Sequence, residues 1–466
     1  MAYPKNENLY NYDVYPKVFV VGKPARIHIR PLGGRKVLQP ETAYTLEICA
    51  LDGGTPWDFP ATGDFKRISE ATDAGCCFCF EYTFDAEQEY FIRVLNGEEK
   101  KLLEFSVYCV AQDLAGRYPF IGDLHMHSTG SDGNQAPEVV CANYRKYGYD
   151  FTVVSDHERY YPSLDAIAVY KDVPIDLNIV PGEEIHLPRV NGRRNDVHIV
   201  NFGGEYSVNA LVESTAVRER GKDLAQRAIR TENVPDVMTQ EEFTAEMERL
   251  AAEINVPDTV DALPAAMCKW AFDQIKAAGG LGIFPHPNWR PNVYHVPEKF
   301  VDWLFETQPF DAFEVLGGES YYEHNGFQTV RYYEEAAKGR RVPIVGSTDS
   351  HSSHYESNRK GFICETIVFS PENERKALID SVKKFYSVAI DTISDEFRLV
   401  GEARYVRYGT FLLRHYFPLH DELCYEEGRL MKQYATGTPG EREEAAALLK
   451  AVAGRTGRML KKYFAF

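Results

Sequence analysis

At 466 residues the chain is too long for one ordinary domain of about 100 to 200 residues, so two to four units are expected. Its 44% hydrophobic and 26% charged content excludes a disordered chain. A formal net charge of −17, from 69 acidic and 52 basic side chains, repels long nucleic acid and anionic membrane surfaces, so neither is an expected partner; a small anionic ligand can still enter a pocket whose local cations outweigh the mean field.

Residues Met1 to Asn8 lack the basic and then apolar run of a secretion signal, and no stretch approaches 18 consecutive apolar residues, which gives a cytoplasmic location as the expectation. The nine cysteines are scattered, with Cys76, Cys77 and Cys79 the one cluster, and read as buried free thiols. The oligomeric state is not legible.

In chain order, residues 9 to 110 read as short alternating strands: Lys17 to Val21, Ala25 to Ile29, Tyr44 to Ala50, Cys77 to Phe84, Tyr90 to Leu95 and Leu102 to Val110. Residues 1–117 are therefore expected to form an antiparallel β-sandwich of unknown role. From Tyr118 short apolar runs alternate with helical patterns, the mark of strand-helix units: Phe120 to Leu124, Phe151 to Val154, Asn178 to Val180, Val197 to Asn201, Leu281 to Phe284, Asp311 to Leu316 and Pro343 to Gly346. These seven strands and their helices, 118–394, predict an α/β unit built on a parallel sheet or barrel. Gly204 to Ala278 interrupts it with a charged helical pattern, where Thr239 and Glu242 make a capping box, and is read as a cap over the site. The tail, 395–466, is helical and is expected on the outside of the barrel.

Ten of the thirteen histidines lie between residues 125 and 354, mostly just after an apolar run. The carboxyl ends of strands in a barrel gather on one face, so side chains there converge however distant in sequence. Those ends read Asp123-Leu124-His125-Met126-His127, Ser155-Asp156-His157-Glu158, Pro181-Gly182-Glu183-Glu184, Val197-His198, Pro285-His286-Pro287 and Thr348-Asp349-Ser350-His351. Residues i and i+2 of an extended segment share a side, so the His-x-His and Asp-x-His pairs can each close on one metal ion.

This order of motifs, with Ser131-Asp132-Gly133 between the first two, resembles the polymerase and histidinol phosphatase (PHP) family of metal-dependent phosphoesterases. The resemblance runs from about Tyr118 to Ser370, outside the helical insertion. It implies a distorted seven-stranded (β/α) barrel with two or three divalent metal ions (Mn, Fe or Zn), up to a trinuclear centre. By motif position it implies one site from His125, His127, Glu184 and Asp349, a second from Glu184, His198 and His286, and a third from Asp132, His157 and His351. Glu183 is the alternative to Glu184.

The implied activity is hydrolysis of a phosphate ester, a small phosphomonoester or a nucleotide phosphodiester, by a metal-activated hydroxide. Arg290, four residues past His286, is the first candidate to bind substrate phosphate, with Arg189, Arg193 and Arg194 behind it. Asp156 is the candidate to orient a ligand or relay a proton. His186, His295, His324 and His354 are possible proton donors, and Tyr160, Tyr161, Trp289 and Tyr321 possible stacking partners for a base or sugar. Two other readings compete: a C–N or C–O hydrolase built on the same metals, and a non-catalytic metal-containing binding or regulatory protein.

Overall fold

A computed structural model describes residues 7–34, 37–53, 65–195, 197–213, 236–317, 322–353, 364–392 and 397–466. His354 and Tyr321 lie outside them. The chain divides into two compact units, one of residues 1–118, 403–423 and 454–466, the other of 119–402 and 424–453.

The first unit holds two sheets. Tyr12–Tyr15, Pro24–Pro31 and Phe78–Thr83 form an antiparallel sheet of three, and Val18–Val20, Lys101–Val110, Gln88–Leu95, Ala43–Ala50 and Lys66–Ala71 a sheet of five in that order. Period-two alternation sends Ile27 and Ile29 inward from the first, and Ile92, Val94, Phe105 and Val107 inward from the second, into one shared core. Register reinforces this, with Ile27 opposite Phe80 and Ile92 opposite both Phe105 and Ile48. Burying each such side chain contributes about 1.5–3 kcal/mol.

Two pieces of the tail belong to this unit. Helix Ala403–His415 sets the buried Tyr408 against Tyr108, ring centroids 4.9 Å apart, and helix Arg455–Tyr463 brings Lys462 within 2.6 Å of the buried Asp13. The expectation of a tail wholly on the barrel is corrected here. Of the tail, 395–402 and 424–453 group with the second unit, where Arg145 binds Glu427 at 2.8 Å and the backbone at Gly428 lies so close to Lys146 that a Cβ would sit 2.2 Å from its nitrogen.

In the second unit all seven expected apolar runs form strands. Among the described residues they distribute into two sheets of mixed direction, not one ring of parallel strands. One sheet runs Asn178–Val180, Phe151–Val153, Tyr118–Asp123, Cys364–Ser370, Ser387–Asp391 and Arg398–Val400; the other Gly182–Ile185, Ile199–Phe202, Leu281–Phe284, Ala312–Leu316 and Ile344–Gly346. The departure has a local cause: Ile199–Phe202 follows Gly182–Ile185 closely and pairs antiparallel with it and with Leu281–Phe284. Isolated bridges link segments that follow strands of the first sheet to the second where the histidine motifs lie: Met126 to Ser350, just past Ile344–Gly346, and His157 to Glu184, within Gly182–Ile185.

Strands buried on both faces need cover, and helices such as Pro137–Lys146, Glu298–Thr307 and Tyr322–Ala337 alternate with them. In the insertion, helix Gln240–Glu253 starts in the expected capping box, Thr239 Oγ1 accepting from Glu242 N at 3.1 Å and Glu242 Oε2 from Thr239 N at 2.8 Å. That helix and Ala262–Ala277 bury Phe243, Met247 and Trp270 in the same core as Ile199, Phe284 and Trp303. The described helices of the insertion are thus part of the unit's body. The rest of the expected cap, 214–235, lies outside the described residues.

Candidate metal centre

Strand ends carry the donors into one place. Tyr118–Asp123 leads into His125 and His127, Phe151–Val153 into His157, Leu281–Phe284 into His286, and Ile344–Gly346 into Asp349 and His351, while Gly182–Ile185 holds Glu184 within it. Ile199–Phe202, being antiparallel to its neighbours, delivers His198 from its start. The segments are knitted by backbone bonds of 2.9 Å from His127 N to Ser350 O and from Asp349 N to His125 O. Asp349 and His286 adopt positive φ, 47° and 26°, a conformation costly for non-glycine residues and held here by the surrounding structure.

Glu184 is the hub. Its Oε2 lies 3.3 Å from His125 Nε2, 3.4 Å from His127 Nε2 and 2.8 Å from His157 Nδ1; its Oε1 lies 2.5 Å from His198 Nδ1 and 3.7 Å from His286 Nε2. Asp349 Oδ1 is 2.9 Å from His127 Nε2 and 3.3 Å from His125 Nε2, with Oδ2 3.8 Å from His286 Nε2. At the outer end, Asp132 stands 3.4 Å from His351 Nε2, 3.6 Å from His157 Nε2 and 4.0 Å from His127 Nδ1. The turn that carries Asp132 needs its glycine, because a Cβ at Gly133 would lie 2.6 Å from the His127 backbone.

Among the described residues, the groups whose donor atoms all lie within 4.8 Å of one another include His125, His127, Glu184 and Asp349; His127, Asp132, His157 and His351; His125, His286 and Glu314; and His157, Glu184 and His186. Strand alternation settles the choice at Gly-Glu-Glu. Glu183 points the other way, where Ser207 Oγ donates to it at 2.7 Å and Asn209 Nδ2 at 3.0 Å.

The electrostatics are those of carboxylates and imidazoles crowded together out of water. Burial opposes ionisation of Glu184, but His157, His198 and His125 outweigh it and hold the carboxyl well below its usual range; His125 does most to keep Asp349 low against the same burial. Burial pushes His127 and His198 down, while the Glu184 charge overcomes burial of His157 and lifts it to about 9. Both oxygens of Glu184, His125 Nε2, His198 Nδ1 and both nitrogens of His286 are buried without a hydrogen bond. Buried polar atoms left in this state are expensive, and a divalent ion among them satisfies imidazole and carboxylate donors together. The donor set therefore fits metal ions.

The other candidates separate. A backbone bond of 3.0 Å from Trp289 N to His286 O closes a turn that puts Trp289 at the pocket and leaves Arg290 exposed, outside the lining. A pocket of about 590 Å³ opens from His157 and His198, bounded by His186 and Arg194 on one side and Trp289, Tyr294 and His295 on the other. Of the loop arginines, Arg194 faces it, Arg193 pairs with Asp261, and Arg189 donates to Gly192 O at 3.2 Å. The Asp156 carboxylate accepts from Ser128 N at 2.8 Å and Ser131 N at 3.0 Å, so it holds the turn after His127, and its backbone carbonyl accepts from Glu184 N at 3.2 Å. Tyr160 is buried, donating to Gly204 O, and His324 is buried outside the pocket lining. Glu314 went unnoticed in the sequence. It is fully buried on Ala312–Leu316 with Oε2 3.1 Å from His125 Nδ1.

No family model matches the chain, and no curated protein matches it. Among solved structures, a two-domain protein containing a predicted PHP-like metal-dependent phosphoesterase from Bacteroides vulgatus ATCC 8482 aligns at 16% identity and TM-score 0.36, over 59% of this chain and 65% of that one. A candidate metal-dependent phosphoesterase from Bifidobacterium adolescentis ATCC 15703 aligns at 18% and 0.31, over 51% and 90%. An amidohydrolase from Chromobacterium violaceum, with bound sulfate and no metal, aligns at 16% and 0.29, over 52% and 92%. At such identities and scores the chemistry of this chain has to be read from its own side chains. Among the described residues no helix is long and apolar enough to cross a membrane.

Proposed function

We propose that the protein is a metal-dependent phosphoesterase of the PHP type, hydrolysing a small phosphomonoester or a nucleotide phosphodiester, with the two sheets of the second unit as walls of a distorted barrel. The observation that carries this reading is Glu184, a fully buried carboxylate faced on one oxygen by His125, His127 and His157 and on the other by His198 and His286.

His125, His127, Glu184 and Asp349 would hold one ion, Glu184, His198 and His286 a second, and Asp132, His157 and His351 a third. Ions bound there supply Lewis acidity, acidifying a water and neutralising charge on the ester oxygens. The chain's own residues do the rest. Burial of His125, His127, Glu184 and His286 excludes bulk water from the inner donors and strengthens each charge interaction there. Arg194 orients the substrate's anionic group from the pocket edge. Trp289 and Tyr294 form the wall against which the leaving group rests. Nine unbridged cysteines suit a reducing, cytoplasmic compartment.

A screen of phosphomonoesters, nucleotide diesters and amides with added Mn(II), run on the wild type and Glu184→Gln, tests this. Phosphate or nucleotide release that the substitution removes is expected. Turnover confined to amides would move the assignment to a C–N hydrolase on the same centre, and no turnover on any substrate would contradict an enzyme.

A further inference from the structure

Glu314 occupies the middle of an apolar strand, between Phe313 and Val315, both fully buried. No lysine or arginine pairs with it among the described residues; its one ion-pair contact there is His125, Oε2 to Nδ1 at 3.1 Å, and Oε1 has no hydrogen bond. The structure makes room for this carboxylate. A Cβ at Gly317 would lie 1.8 Å from Glu314 Oε1, so only glycine fits beneath it, and Gly317 is itself fixed by a 2.9 Å bond from its nitrogen to Asn325 Oδ1. Gln328 Nε2 donates to the Glu314 carbonyl at 3.2 Å, steadying the strand at the same point.

His125 therefore meets carboxylates on both ring nitrogens. Nδ1 faces Glu314, while Nε2 faces Glu184 and Asp349, each at 3.3 Å. A neutral imidazole has one N–H and one lone pair, and the hydrogen bond made by one nitrogen decides what the other can do. With its proton on Nδ1, the Nε2 lone pair points at two anionic oxygens, an arrangement that is repulsive unless a cation lies between them.

We infer that Glu314 is a positioning residue that accepts the Nδ1 proton of His125 and thereby fixes the ring and its tautomer for metal binding through Nε2, an inference that rests on the metal-centre reading above. Carboxylates behind ligating histidines tune metal affinity by about 10- to 100-fold. The carboxylate is buried beyond the reach of the pocket lining, so its effect on turnover passes through His125.

The test uses the full chain, stripped of metal and retitrated with diamagnetic Zn(II) against a chromophoric chelator, with selective 15N-histidine NMR of the metal-free and the loaded protein. Glu314→Ala is expected to weaken the tightest class of site by about 10- to 100-fold with stoichiometry unchanged. Gly317→Ala, which displaces the carboxylate, should reproduce the loss. Glu314→Gln keeps the shape and an acceptor for Nδ1–H and should recover most of the affinity, which guards against a variant that merely misfolds. NMR should show His125 protonated on Nδ1 in the wild type and in Glu314→Gln, and mixed or Nε2-protonated in Glu314→Ala. Unchanged affinity and tautomer in Glu314→Ala would overturn the inference, and so would the loss of one metal equivalent, which would make Glu314 a ligand. Wild type that takes up no metal would sink the metal-centre reading, while an Nδ1-protonated His125 lost in Glu314→Ala would still establish the dyad.

Discussion

The donors near Glu184 and those around Asp132 are drawn from the same residue types but live in different solvents. His125, His127 and Glu184 are fully buried and His286 nearly so, whereas Asp132 is 57% exposed, His351 35% and His157 26%. Inner donors have lost their water already and are held by strained backbone, so an ion meets them preorganised; outer donors must shed water and side-chain freedom on binding. The difference predicts a tight inner pair of sites and a weaker, exchangeable outer one.

The largest effect should come from the inner set. His127→Ala should lower turnover by about 10³-fold or more, the scale of removing a group that stabilises developing charge, and should reduce tightly bound metal. Asp132→Ala should remove the weakest ion and cost about 10- to 100-fold, recoverable in part at high Mn(II). If the two variants lost metal and activity equally, the inner and outer sites would not differ as their burial implies.

Next comes substrate binding. Arg194→Ala should raise KM about tenfold, roughly 1.4 kcal/mol of charge-assisted contact, with kcat changed less. Arg290→Ala, at an exposed position off the pocket, should leave both unchanged. The reverse result would restore Arg290 as the phosphate residue.

The smallest effect is on stability. In the folded chain the neighbouring Glu184 charge outweighs burial and pushes His157 up from an ordinary 6.5 to about 9. A raised folded pKa contributes stability that is complete below pH 6.5 and is lost as the pH climbs through 9. The metal-free Tm should therefore fall over that window, while metal binding, which competes with protons for imidazole, strengthens. Calorimetry should find the gap between loaded and metal-free Tm widening with pH; a constant gap would mean that His157 is not a ligand.

Much of the site was legible because its donors sit in short motifs at strand ends, where local order and spatial convergence coincide. The motif resemblance favoured Glu184 over Glu183, and the pleat of Gly182–Ile185 turns the two to opposite sides. Arg290 is near His286 along the chain, but the turn after His286 puts Trp289 in the pocket lining and leaves Arg290 exposed, which spacing alone does not reveal. Glu314 was hidden by its setting, an apolar run read as plain core, although a lone carboxylate between Phe313 and Val315 was the available signal. Lys66–Ala71 escaped as an edge strand, too exposed to show a buried face. The tail's amphipathic helices announced that they pack, but an apolar stripe carries no address.

The most direct measurement is the metal content of the purified full chain by elemental mass spectrometry, before and after brief dialysis against a mild chelator. The account predicts two ions per chain that resist dialysis and one that is lost. A chain that holds no divalent metal before dialysis, and takes none up when it is supplied, would contradict the metal centre itself.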